Sequence, residues 1–237
     1  MMKQIIFLIF ITLNSFSQDK LVVYNFKLLE DKKFMENKTL GDLYKKGIEQ
    51  AKHIKLNLEF NDTIARFKMQ ETMSAEENNR NMAVAFCNCK EDIYIYNYKV
   101  YRSNTEGLFK KNEFLIIDSL NMNWKFLNES KLIDGYECYK ATNEYIVINS
   151  KGELRHPVVA WYCPQLPYSF GPVGYGGLPG LILELQVRNN VFGVEKIILD
   201  HKIEEPIKLP TKGEVITDED YNNKIKKIME DRFENKE

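Results

Sequence analysis

Apolar and polar residues alternate along most of the chain, and the period lengthens to that of a helix at two places. Leu21 to Leu29 is apolar and aromatic with enough alternation to read as an opening strand. After a charged link the period changes. Leu40, Leu43, Tyr44, Gly47, Ile48 and Ala51 fall on one helical stripe, and Thr39 stands where an N-cap belongs. Lys55 to Phe60 and Thr63 to Met69 flank Asn61-Asp62, which predicts a hairpin on a two-residue turn although the usual glycine is missing. A polar stretch at Ser74 to Asn81 precedes β-prone runs at Ala83–Cys87, Ile93–Tyr101, Glu113–Asp118, Trp124–Asn128, Tyr136–Ile148 and Val158–Cys163. Leu181, Leu183, Leu185 and Val187 then make one apolar face of a strand. Val191 to Ile203 reads as its hairpin partner after Asn189-Asn190. Thr217, followed by Asp218-Glu219-Asp220 and by Tyr221, Ile225, Ile228 and Met229 at helical spacing, predicts a capped C-terminal helix.

Ten or eleven strands with a helix near each end, and no strand-helix alternation, predict a mainly β (α+β) fold. The expected form is a large curved antiparallel sheet or half-open β-barrel, one face covered by two amphipathic helices.

The stretch from Pro164 to Gly180 differs in kind, because it holds four of the seven prolines and five of the twelve glycines and so fits neither a helix nor a regular strand. It ends in Gly177-Leu178-Pro179-Gly180-Leu181-Ile182. Two glycines and a proline there turn the chain, and the leucines anchor the turn, which is a structural reading. A functional reading makes this loop the rim of a ligand cavity with Trp161, Phe170 and Tyr175 as apolar contacts.

The ends change the picture next. Lys3, the apolar run Ile5 to Leu13, and the small residues Ser15 and Ser17 describe a secretory signal over residues 1–17, with Gln18 as the mature N-terminus. The run is too short to span a bilayer, and no later run reaches that length, so no transmembrane span is expected after signal cleavage. Residues 18–237 form one expected domain, with 12% aromatic and 28% charged residues as in ordinary globular proteins. The net charge is −1, and −2 once Lys3 is removed, with both signs interspersed, which argues against nucleic acid as a partner.

Four cysteines in an exported chain raise the question of disulfides. Cys138 and Cys163 lie in runs expected to be neighbouring strands, which makes them a candidate pair. Cys87 and Cys89 on an extended strand would sit about 6.5 to 7 Å apart on one face, so a bond between them needs a bent backbone. The rival reading makes them soft ligands for copper(I) or zinc, although no further Cys or His is near in sequence. His53, His156 and His201 are scattered, and Glu184 falls opposite Leu183 and Leu185 on a strand. No nucleophile elbow, phosphate loop or metalloprotease motif is present, so neither a cofactor nor catalysis is expected.

Tyr136-Glu137-Cys138-Tyr139-Lys140-Ala141, Ala160-Trp161-Tyr162, Pro167-Tyr168-Ser169-Phe170-Gly171-Pro172 and above all Gly177-Leu178-Pro179-Gly180-Leu181-Ile182-Leu183-Glu184 resemble, in order, the signatures of the GLPGLI family of exported bacterial proteins of unknown function. Val173-Gly174-Tyr175 departs from that pattern, which has an aromatic and then a basic residue after Gly-Pro. The resemblance implies an exported address and a shape like the half-barrels of periplasmic lipoprotein carriers; the periplasm is the expected location, with the extracellular space as the alternative. The resemblance transfers no catalytic residue. Two readings of function follow. One is a non-enzymatic binder of a hydrophobic small molecule, lipid or polypeptide in a sheet cavity; the other is an envelope protein that assembles with an outer-membrane transporter. A metal-handling protein using Cys87 and Cys89 stands behind both.

Overall fold

The computed structural model of the chain describes residues 18–71, 81–87, 89–149 and 152–234. The expected signal segment 1–17 and most of the polar stretch 74–81 lie outside the described residues, as does the side chain of Met229. Strand makes up 47% and helix 19%, in one open twelve-stranded sheet, so the mainly β expectation holds.

The strands in chain order are β1 (Asp19–Leu28), β2 (Lys55–Phe60), β3 (Ile64–Met69), β4 (Ile93–Tyr96), β5 (Lys99–Ser103), β6 (Phe114–Ser119), β7 (Lys125–Ile133), β8 (Tyr136–Asn149), β9 (Gly152–Cys163), β10 (Leu181–Val187), β11 (Asn190–His201) and β12 (Glu214–Ile216). Their spatial order is β12-β6-β5-β4-β3-β2-β1-β11-β10-β9-β8-β7. All pairs are antiparallel except β12 with β6, a short parallel pair. The helices are α1 (Lys32–Met35), α2 (Gly41–Ala51), α3 (Asn81–Cys87) and α4 (Asp218–Glu234).

Cross-strand register defines the inner face. Val22, Leu58, Phe67, Ile93, Arg102, Ile116 and Ile216 face the same way across seven strands. Phe26, Phe192, Leu185, Ala160, Ala141 and Phe126 continue that face in the other direction. Both long helices lie on it, as expected. Tyr44 of α2 donates to Leu29 O at 2.6 Å, stacks on Phe34 at 4.9 Å and meets Phe86 edge-on at 5.0 Å. Gly47 is needed for this approach, since a Cβ there would come within 2.7 Å of the Phe86 ring. On the opposite face of β2 and β3, the buried Glu59 carboxylate is held by Arg66 and by Lys68 at 3.0 Å.

Several local expectations change. Ala83 to Cys87 belongs to α3, not to a strand: Ala83 and Cys87 are buried against α2, while Gln50 Oε1 accepts from Met82 N at 2.9 Å at its start. The Ile93–Tyr101 run is two strands, split by a turn with Asn97 and Tyr98 both at positive φ. The Asn61 turn spans four residues, with Asn61 Oδ1 accepting from Thr63 N and Ile64 N in place of a glycine conformation. Thr39 does not cap α2: Leu40 stands at its N-cap with no side-chain hydrogen bond, and Asn37 Oδ1 accepts from Thr39 N and Leu40 N in the turn before it. Thr217 does cap α4, with Asp220 N donating to its hydroxyl at 3.1 Å.

Helix α4 rests on a small separate cluster of Phe109, Phe114, Ile116, Ile216 and Tyr221. Arg102 fastens it: its guanidinium bonds Glu91 at 2.9 Å, pairs with Asp218, and lies over the Tyr221 ring. Asp118 accepts from Asp218 N at 2.8 Å. The Arg102→Ala variant is expected to lose about 2 kcal/mol, since charged hydrogen bonds in a half-buried site are removed and Glu91 is left without its cation. Urea unfolding measures the loss, and amide exchange should rise first in α4.

Candidate functional site

The concave side of the sheet is where a carrier would hold its cargo, and the chain's own Pro164–Gly180 segment occupies it. The segment folds back on itself: Gly177 N donates to Ser169 O at 2.9 Å, Leu181 N to Leu166 O at 2.9 Å, and Ile182 N to Phe170 O at 3.0 Å. Its side chains then enter the core. Phe60 meets Tyr168 at 5.1 Å and Phe170 at 5.7 Å, and Leu178 is fully buried. The backbone at Gly174 lies against Ile93 and Val100, and that at Gly176 against Ile95. Trp124 closes the far side, donating Nε1–H to Gly176 O at 2.8 Å beside the Tyr175 ring. Lys20 is buried at the near end, its ammonium over Tyr168 at 4.8 Å and bonded to Asp62 at 2.8 Å. Burial drives the Tyr175 hydroxyl to a pKa above the ordinary tyrosine range, so it stays neutral.

Within the hexapeptide the two glycines do different work. Gly177 adopts φ +78°. Gly180 lies against the backbone of Cys163, where a Cβ would stand 2.2 Å from the carbonyl oxygen. That approach starts β10 in register with β9, placing Leu181 opposite Cys163 and Ile182 opposite Tyr162. Tyr24, fully buried, donates to Ile182 O at 2.6 Å, because the bulge between Ile182 and Glu184 turns that carbonyl out of the ladder. The structural reading of the hexapeptide therefore accounts for each of its parts: Leu178, Leu181 and Ile182 are buried, and the chain turns at Pro179, where Gly180 N donates to Leu178 O at 2.8 Å.

The three cavity-rim candidates do not share one site. Phe170 and Tyr175 belong to the segment that fills the concavity. Trp161 is on the other face of the sheet, since its neighbours Ala160 and Tyr162 point inward. There it lies under Lys131 at 4.4 Å and Lys140 at 5.7 Å, which are tied to Glu184 and Glu129. Glu184 is thus an ion-pair partner, bonded to Lys131 at 2.8 Å.

Cys87 and Cys89 are joined by a disulfide, with Cα atoms 5.2 Å apart. The backbone bends there because Cys87 ends α3, which supplies the geometry an extended strand lacks. Bonded sulfurs are not free metal ligands, and no cluster of three metal-ligating side chains occurs among the described residues. Cys138 and Cys163, the candidate pair, are both buried and carry free thiols here.

Where the core ends, the sheet continues. β8 pairs with β7 only through Tyr136–Thr142, and β9 pairs with β10 only through Val158–Cys163. Asn143–Asn149 and Gly152–Pro157 therefore form a two-stranded arm with no further strand paired to either outer edge among the described residues. Seven of the fourteen large hydrophobic residues exposed among the described residues lie on β7, β8 and β9: Phe126, Leu127, Leu132, Tyr139, Tyr145, Ile146 and Leu154. That is half of the exposed apolar side chains on three of twelve strands. Arg155 binds Glu144 at 2.8 Å and Glu153 at 2.7 Å on one face of the arm, while Tyr145 stacks on His156 on the other. At the opposite end Phe126 and Tyr139 flank Tyr162 beside a shallow depression lined by Glu137, Pro164 and Gln165. The β-prone runs read from the sequence hold Phe126, Leu127, Tyr139, Tyr145 and Ile146 but not Leu132 or Leu154, and only the length mismatch between paired strands reveals the arm.

The profile of a family described as a protein of unknown function (Porph_ging) matches residues 149–184, from the end of β8 to the start of β10. No curated protein matches the chain. Among solved structures, PNGF-II in a P21 crystal form is similar at 15% identity and a TM-score of 0.51, over 87% of this chain and 32% of that one. PNGF-II in a C2 form has a TM-score of 0.47 at the same identity and coverage. The chain thus spans about a third of the length of PNGF-II, and the likeness concerns the fold.

Proposed function

We propose that this is an exported, non-enzymatic interaction protein of the bacterial envelope, of the GLPGLI type, that docks a polypeptide partner on β7 and the β8–β9 arm. The observation that carries the reading is the concentration of exposed apolar side chains on those three strands, next to unpaired strand edges. An isolated two-stranded ribbon is only marginally stable in water, and apolar surface of this kind is covered in most soluble proteins. An added strand would satisfy the arm's free backbone groups, with Tyr145 and Leu154 contacted from one face and Ile146 from the other. The edge of β7 is less open to indiscriminate pairing, because a register shift between Phe126 and Ser130 interrupts its ladder and Lys125, Glu129 and Lys131 charge it.

A hydrophobic carrier is the weaker reading. The space it requires on the concave face is filled by Tyr168, Phe170, Tyr175 and Leu178, so cargo could enter only by displacing the segment 164–180.

Native purification from the envelope, followed by mass spectrometry of co-purified protein and lipid, separates the two. A defined protein should accompany the wild type. The Ile146→Lys/Leu154→Lys variant should bind it about tenfold or more weakly, while both substitutions, at exposed positions, leave unfolding midpoints nearly unchanged. Stoichiometric lipid retained equally by the wild type and the variant would reject the docking reading in favour of a carrier.

A further inference from the structure

The pairing of β8 with β9 sets Tyr139 opposite Tyr162, which puts Cys138 directly across from Cys163. Leu181 flanks Cys163 on one side and Lys131 flanks Cys138 on the other. Both thiols are fully buried, and Cys138 Sγ donates to Tyr136 O at 3.6 Å. Directly opposed residues of antiparallel strands have Cα atoms roughly 4.5 to 5.5 Å apart, inside the roughly 4.4 to 6.8 Å window that a disulfide spans.

We infer that Cys138 and Cys163 form a cross-strand disulfide when the chain folds in the presence of a low-molecular-weight disulfide, alongside the Cys87–Cys89 bond. One thiol, as thiolate, attacks the small disulfide and releases one small thiol. The second thiol displaces the other, so that two electrons and two protons pass from the cysteines to the oxidant. The fold also dictates when this happens. Burial, the largest influence, and the neighbouring Cys163 push the Cys138 thiol up to about 12, so in the finished fold it scarcely ionises near neutral pH and is closed to oxidant. The bond must form while β8 and β9 are still pairing. Its place is next to the Gly180–Cys163 contact, at the end of the β8–β9 pair away from the arm, so it would join the two strands that carry the exposed surface. The inference does not depend on what docks there.

The full chain is unfolded, reduced, and refolded in a buffer of reduced and oxidised glutathione, then alkylated in denaturant and digested. The expected result is the loss of all four thiol hydrogens and a peptide containing Cys138 linked to the one containing Cys163. The Cys163→Ser variant, treated in the same way, should leave Cys138 open to alkylation. Native reduced protein exposed to oxidised glutathione should keep both thiols far longer than the refolding chain does. Refolded wild type in which Cys138 and Cys163 are alkylated, or are bonded to Cys87 or Cys89 instead, would overturn the inference.

Discussion

Gly180→Ala should cost about 3–5 kcal/mol of stability, near the upper end for a single substitution. The new Cβ would stand 2.2 Å from Cys163 O, 2.5 Å from its carbonyl carbon and 2.8 Å from Pro164 N. All three are backbone atoms, so no rotamer change relieves the contact. β10 would have to move off β9, loosening the Leu181–Cys163 pairing and the Leu181 N to Leu166 O hydrogen bond. Gly177→Ala makes the informative contrast. Its Cβ meets Met122 Sδ and Cε, the end of an exposed side chain that can swing aside, and the remaining cost is the left-handed backbone, about 1–2 kcal/mol. Urea unfolding of the two variants side by side is the measurement. Equal losses would mean that Gly180 serves backbone torsion alone and not the close approach that sets the β9–β10 register.

Phe60→Ala should destabilise the protein by about 3–5 kcal/mol, as truncation of a fully buried phenylalanine does when its surroundings cannot collapse. The ring is the floor on which Tyr168 and Phe170 rest, so the vacancy would open between β2 and the Pro164–Gly180 segment. Amide exchange distinguishes this local loosening from a general loss. The amides of Gly177 and Ile182, bonded to Ser169 O and Phe170 O, should lose protection beyond what global unfolding explains, while those of β8 and β9 keep theirs. Uniform loss across the sheet would show that the segment is not held chiefly by this contact. The same variant bears on the carrier reading, since a segment freed from Phe60 is the state in which the concave face could accept an apolar guest.

Strands with a long alternating run were legible, because alternation of period two is a local property: Leu181 to Val187 and Lys55 to Phe60 appear where the pattern places them, whereas the three-residue β12 was not read. The α4 cap was legible for the same reason, since Thr217 and Asp220 are three residues apart. Ala83–Cys87 was misread because its short apolar run suits either element, and what makes it a helix is distant in sequence: Gly47 admitting Phe86, and Asn190 bonding Phe86 O. Trp161 illustrates a different limit. Its strand was evident, but which parity faces the core is decided by the neighbours of β9, and a shift of one residue exchanges the faces.

By itself, the sequence determined an open, mainly β fold with amphipathic helices on one face, and it marked Gly177 to Ile182 as a turn leading into a buried strand. Periodicity and backbone restriction act between near neighbours, so they can be read from order alone. The tertiary structure alone decided that the glycine- and proline-rich segment fills the concave face rather than rimming a cavity, that Cys138 faces Cys163, and that β8 and β9 outrun their partners to leave an apolar arm. Each of these depends on the register of strands far apart in the chain, which is set by the packing of the whole core.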